Sequence, residues 1–155
     1  MPTCFFIGHR DTSRTVLPHI TKAAELLIQE EKVVEFYVGC YGSFDLLAGE
    51  AIISLKSAFP HVRLYLVIPY HPAERQIEVR PGFNGTVYPE GMEAVPRRYA
   101  ISFANRKMID RADYLVAYVT HTASNAHKLL DYAARREQKR LLHVINLGDK
   151  KDDAK

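Results

Sequence analysis

Apolar runs too short for helices alternate with helix-period segments from one end of this 155-residue chain to the other. That order predicts a parallel sheet whose crossover helices cover both faces. The first run, Cys4-Phe5-Phe6-Ile7, is continuous rather than alternating, as expected of a strand buried on both sides. It stops at Gly8-His9-Arg10, so polar groups are delivered to the sheet's carboxyl edge, where open α/β sheets collect ligands.

Further strands are predicted over Val33–Val38, Val62–Ile68, Tyr114–Val119 and Leu141–Ile145. Between them run four helices. The first begins between Ser13 and Pro18 and carries Leu17, Ile20, Ala24, Leu27 and Ile28 at helical spacing. In the second, Phe44, Leu47, Ala48, Ala51, Ile52 and Leu55 form a stripe with Ser43 placed to cap it. A third runs from about Arg97 to Asp110, burying Ile101, Met108, Ile109 and Ala112. The last is marked by Ala126, Leu129, Leu130, Ala133 and Ala134. Right-handed crossovers then give a Rossmann-like α/β/α sandwich with a mostly parallel five-stranded sheet, order 3-2-1-4-5. The segment from Tyr70 to Pro96, with four prolines and three glycines, reads as an irregular connection of the kind used for ligand loops.

One domain over residues 1–148 is expected, followed by a charged tail over 149–155. A hydrophobic fraction of 47% and a charged fraction of 25% exclude a disordered or fibrous chain. No apolar run is long enough to span a bilayer, and Met1-Pro2-Thr3 shows no signal-peptide pattern, which predicts a cytoplasmic protein. Cys4 and Cys40 read as reduced thiols. Asn84-Gly85-Thr86 matches a glycosylation sequon but, without a signal peptide, reads only as a turn. A formal charge of +3 suits an anionic ligand and is too weak to argue for nucleic acid.

Two strand-to-helix junctions carry chemistry. Gly39-Cys40-Tyr41-Gly42-Ser43-Phe44-Asp45 brings backbone amides toward a helix start, as phosphate sites do, yet it is neither the dinucleotide fingerprint nor a P-loop. A tight turn capped by Ser43, with Asp45 complementing the dipole, explains the same residues equally well. Thr120, Thr122, Ser124 and Asn125 offer donors to an oxyanion at the other junction, and they are also ordinary turn and cap residues. His9 is the natural acid or base, because imidazole titrates near neutrality; a plain hydrogen-bonding role competes. Arg10 and Arg106 suit bidentate contact with phosphate or, alternatively, a neighbouring carboxylate. The seven histidines lack the spacing of a zinc motif, so no metal is expected. Arg135, Arg136, Lys139 and Arg140 read as a solvated helix end, and Cys40 as a small buried filler.

Cys4 to Arg10, Tyr37 to Asp45, Tyr88-Pro89, Asn105 to Asp110 and Asp113-Tyr114 with Tyr118-Val119-Thr120 together resemble the YpsA-like bacterial proteins. Those belong to the SLOG superfamily of Rossmann-like domains, with DNA-processing protein A and the LONELY GUY phosphoribohydrolases. The resemblance implies a nucleotide or nucleotide-derived ligand at the strand ends, approached by Arg106, and a homodimer. A sensing or regulatory role is the expectation, since the chain departs from the motif of the superfamily's enzymes. Where LONELY GUY enzymes carry P-G-G-x-G-T-x-x-E, this chain has Ser124-Asn125-Ala126 and, at the position of the glutamate, Lys128. N-glycosidic hydrolysis of a nucleoside monophosphate is the competing expectation, with Asp45, Glu90, Glu93 and Asp131 as available carboxylates; a protein or single-stranded nucleic acid module is the third.

Overall fold

The computed structural model describes residues 1–149. Six parallel strands form one sheet: β1 (Thr3–Gly8), β2 (Glu35–Val38), β3 (Arg63–Val67), β4 (Gly85–Val87), β5 (Tyr114–Tyr118) and β6 (His143–Asn146), in the order β4-β3-β2-β1-β5-β6. The helices are α1 (Leu17–Glu30), α2 (Ser43–Leu55), α3 (Ala100–Arg111) and α4 (Asn125–Gln138). All strand pairs are parallel, as the βαβ order demands. The charged tail expected over 149–155 lies outside the described residues, apart from Asp149.

The five-stranded expectation is corrected to six. The additional strand, β4, comes from the Tyr70–Pro96 segment and pairs through Tyr65 with Gly85 and Val67 with Val87. Three residues long and rich in turn formers, it shows no period of its own; its place comes from tertiary contacts. Asn84 Oδ1 accepts from the Leu64 amide at 2.9 Å and from Lys56 Nζ at 2.5 Å, which docks the strand's start beside β3 and the end of α2.

Apolar side chains divide onto two faces. Phe6, Phe36, Val38 and Leu64 meet α1 and α2, while Phe5, Ile7, Leu115 and Ala117 meet α3 and α4. The stripe from Phe44 to Leu55 on α2 is buried throughout. Its N-cap is not Ser43 but Gly42, whose φ of 96° is a conformation open to glycine at little cost. Pro18 occupies the first turn of α1, where a missing amide hydrogen costs nothing. No helix among the described residues is long and apolar enough to cross a membrane.

Candidate functional site

The chain reverses direction across the sheet between β1 and β5, and at their carboxyl ends lies a cleft of about 370 Å³. Loops after β1 and β2, the first turn of α4 and one side of α3 enclose it.

Three fastenings hold the loop after β1. Thr12 Oγ1 donates to the His9 carbonyl at 2.7 Å. The Ser43 amide donates to the Arg10 carbonyl at 2.8 Å. Ser43 Oγ lies 2.7 Å from the Arg10 carbonyl and 2.9 Å from that of Thr12, sharing its proton between them. Gly8 itself sits against the ring of Phe44; a Cβ there would lie 2.6 Å from Cδ2, inside contact distance. Only glycine lets β1 end where it does.

His9 follows, 5% exposed. Its Nε2 accepts a hydrogen bond from the Thr120 amide at 2.9 Å, which requires a neutral ring carrying its proton on Nδ1. That Nδ1 is buried and has no hydrogen-bond partner among the described residues. The His121 ring lies parallel to it at 3.9 Å, and Tyr118 meets it edge-on at 6.1 Å. Burial first, and then His121, lower the His9 pKa; Asp11 acts against them.

The loop after β2 wraps a carboxylate. Asp45 Oδ2 accepts from the Tyr41 amide at 3.1 Å. Asp45 keeps some accessible surface, yet protein surrounds its carboxyl, and burial pushes the pKa up to about 7 against the lowering effects of that amide and of Arg10. The same burial, with the Asp45 charge beside it, lifts the Cys40 thiol to about 11, so a protonated and weakly nucleophilic group faces the cleft. Outside, Arg75 donates to Tyr41 Oη at 3.5 Å and lies 4.6 Å from the centre of the Tyr70 ring. Arg97, paired with Glu74, lies 5.2 Å from the same ring. Two guanidinium groups therefore gather about the Tyr70 ring, one of them in contact with Tyr41 of the cleft wall.

On the opposite wall, Ser124 caps α4, accepting from the His127 amide at 3.1 Å. Ala123, Ser124, Asn125 and Ala126 line the cleft there. Asn146 steadies the strand end that leads into this loop: its Oδ1 accepts from Val119 at 3.1 Å and its Nδ2 donates to the Val119 carbonyl at 3.2 Å. Val67, Pro69, Ile101, Ala104 and Leu129 supply the apolar surface.

Of the residues singled out in the sequence, Gly8, His9, Arg10, Gly39, Tyr41, Asp45, Ser124 and Asn125 come together around this cleft. Gly42 and Ser43 stand behind it as fasteners. Thr120 contributes a backbone amide to His9, and Thr122 is exposed. Arg106 turns elsewhere: it is exposed and sits over the Tyr132 ring at 5.3 Å, whereas its neighbour Asn105 lines the cleft. Of the four carboxylates considered, Asp45 alone is in the wall, and Asp131 instead lies 3.4 Å from His127. His121 lines the cleft beside His9, as the position of Thr120-His121-Thr122 at the end of the neighbouring strand leads one to expect, while Asp11, Cys40 and Asn105 join the site without having been assigned to it. The signal that could have found Asn105 is its place one turn after Ile101, which sets the two on one side of the helix. Among the described residues, no three His, Cys, Asp or Glu side chains converge as a ligand set for a metal.

Apolar wall, amide-rich helix start, cation and a near-neutral carboxyl together suit an anionic, partly planar small molecule. Comparison of the sequence with family models and with curated proteins returns no match.

Proposed function

We propose that the cleft binds a nucleotide or nucleotide-derived ligand, and that the protein senses or regulates through that binding in the cytoplasm. The observation that carries this reading is the buried, unpaired Nδ1–H of His9 beside a cleft at the sheet's switch point. In this reading the phosphate lies against the first turn of α4, where free amides and the helix dipole favour an anion, with Arg10 alongside. The planar base packs on Ile101, Ala104 and Pro69. Resemblance to the YpsA-like proteins of the SLOG superfamily points to the same ligand class, and Lys128 in place of the enzymes' glutamate favours binding over turnover.

A panel of adenine and guanine nucleotides in a thermal-shift assay tests this. Saturating ligand is expected to stabilise by about 2–4 kcal/mol, and Arg10→Ala to lose most of that response. Absence of a shift with every nucleotide, in the parent and in Arg10→Ala alike, overturns the proposal.

A second reading, N-glycosidic cleavage of a nucleoside monophosphate, is favoured by one observation: Asp45 is poised near neutrality inside the cleft. Chromatography after long incubation with nucleoside monophosphates is then expected to detect free base, and Asp45→Asn to abolish it. A parent protein that releases none eliminates this reading while leaving binding intact.

A further inference from the structure

Arg10 and Asp45 share one wall of the cleft, and among the described residues no ion pair engages either of them. The backbone places both. Arg10 presses on Gly42, where a Cβ would stand 2.8 Å from Arg10 Cα and 3.0 Å from its Cγ. The Ser43 amide holds the Arg10 carbonyl at 2.8 Å. Asp45, in the first turn of α2, packs on Gly39, where a Cβ would lie 2.6 Å from Oδ2. Its carboxyl receives one hydrogen bond among the described residues, from the Tyr41 amide at 3.1 Å, although the two oxygens of a carboxylate accept about four. Beyond that amide, the charge of Arg10 is what favours the ionised form.

An anion entering the cleft draws on the same guanidinium. Resting on the nucleotide reading above, we propose that the ligand's phosphate takes over Arg10 and that Asp45 answers by binding a proton, so that association in this cleft is proton-coupled. The carboxylate loses the cation that offset its charge and gains an anion nearby, and both changes favour its acid form. One proton passes from solvent to Asp45, and no bond of the ligand is altered.

The other titratable groups of the wall are poorly suited to take that proton. Cys40 and Tyr41 already hold theirs, because burial raises both. His9 accepts the Thr120 amide on Nε2, a bond that a second proton would break. Arg75, at Tyr41 Oη, is a cation throughout. Asp11 and His121 are exposed, where water and salt screen an arriving charge. Binding through an acid Asp45 weakens as pH rises. A carboxylate that accepted from ribose hydroxyls would act in the opposite sense, since it needs its charge.

Isothermal titration calorimetry with adenosine and guanosine 5′-monophosphate, in two buffers of unlike ionisation enthalpy, tests the proposal. At pH 7.5 about half a proton is expected to enter per ligand bound, and affinity to fall about tenfold from pH 7 to pH 9. Asp45→Asn removes both effects and binds more tightly than the parent at pH 9. A carbon-13 titration of the Asp45 carboxyl in the parent reads the same proton without a substitution, and is expected to move upward when ligand is present. Binding without proton uptake overturns the proposal while the nucleotide reading stands. Uptake that persists in Asp45→Asn overturns it equally, the proton then residing on the ligand, His121 or Asp11. Weaker binding by Asp45→Asn at pH 9 overturns it too, and assigns the carboxylate to a ribose hydroxyl. No binding at any pH removes the nucleotide reading and the proposal together.

Discussion

His9 and His121 lie ring to ring, their centroids 3.9 Å apart and their planes 3° from parallel. Two imidazolium ions stacked this way would repel, and His9 is also buried, so its proton affinity falls. Nuclear magnetic resonance titration is expected to find His9 below the ordinary value near 6.5, and His121→Asn to move it upward. A folded pKa below the unfolded one means that stability from a neutral His9 is complete above about pH 6.5. It is lost as pH falls through the lowered folded value. An unaltered His9 titration in His121→Asn would show that the stack does not govern the proton.

Asp45 works in the opposite sense. Its folded pKa of about 7 lies above the reference value of 3.8, so the native state retains a proton that the unfolded chain releases. The resulting penalty is absent below the unfolded value, grows as pH rises through the interval, and is complete above the folded one. Asp45→Asn keeps an oxygen for the Tyr41 amide and is expected to gain on the order of 2–4 kcal/mol relative to the parent at pH 8, with little difference at pH 4. Chemical denaturation at the two pH values measures the gap; equal differences at both would refute it.

Gly8→Ala forces a methyl group into the ring of Phe44, a side chain only 1% exposed. Overpacking of this kind costs about 1–3 kcal/mol. A lowered denaturation midpoint is expected, and Phe44→Leu in the same chain should recover part of it by vacating the space. No recovery would mean that the strain lies in the backbone rather than in the ring.

Asn146 closes a two-way contact with the backbone of Val119. Asn146→Ala strands the amides of Val119 and Gly148 and the carbonyl of Val119, at a cost of about 1–3 kcal/mol, and frees the loop that carries His121. Hydrogen exchange at residues 119–124 should rise more than within β5. Uniform exchange along the strand would contradict a local anchoring role.

Arg106→Ala removes a cation standing over Tyr132 at the surface. It is expected to leave any nucleotide-induced thermal shift within error of the parent, whereas Asn105→Ala, on the cleft face, reduces it. The reverse ranking would require α3 to turn by about one residue, a rotation of roughly 100°.

Burial pattern made most of the architecture legible. The α2 stripe, the continuous apolar run of β1 and the alternation of element types each state a local requirement that the tertiary structure satisfies. What escaped was non-local. Gly85-Thr86-Val87 has no strand period, and it pairs only because Asn84 and Lys56 present it to β3. Ser43 looked like a cap because serine before an apolar stripe normally is one; a glycine with positive φ had already taken that position. The cleft was half readable: residues at strand ends declare themselves, but the side of α3 that faces inward depends on helix phase. For that reason Asn105 enters the wall and Arg106 does not. Strand order brings the loops of His9 and His121 to one crevice, but the parallel stacking of their rings leaves no trace in spacing.

Ser43 gives one more consequence. With its amide and hydroxyl both spent on the backbone of Arg10 and Thr12, the loops after β1 and β2 form a single rigid unit. The conformational entropy of ordering the binding surface is lost when the chain folds, before any ligand arrives. Association there is accordingly preorganised: it has water to displace and little polypeptide left to immobilise.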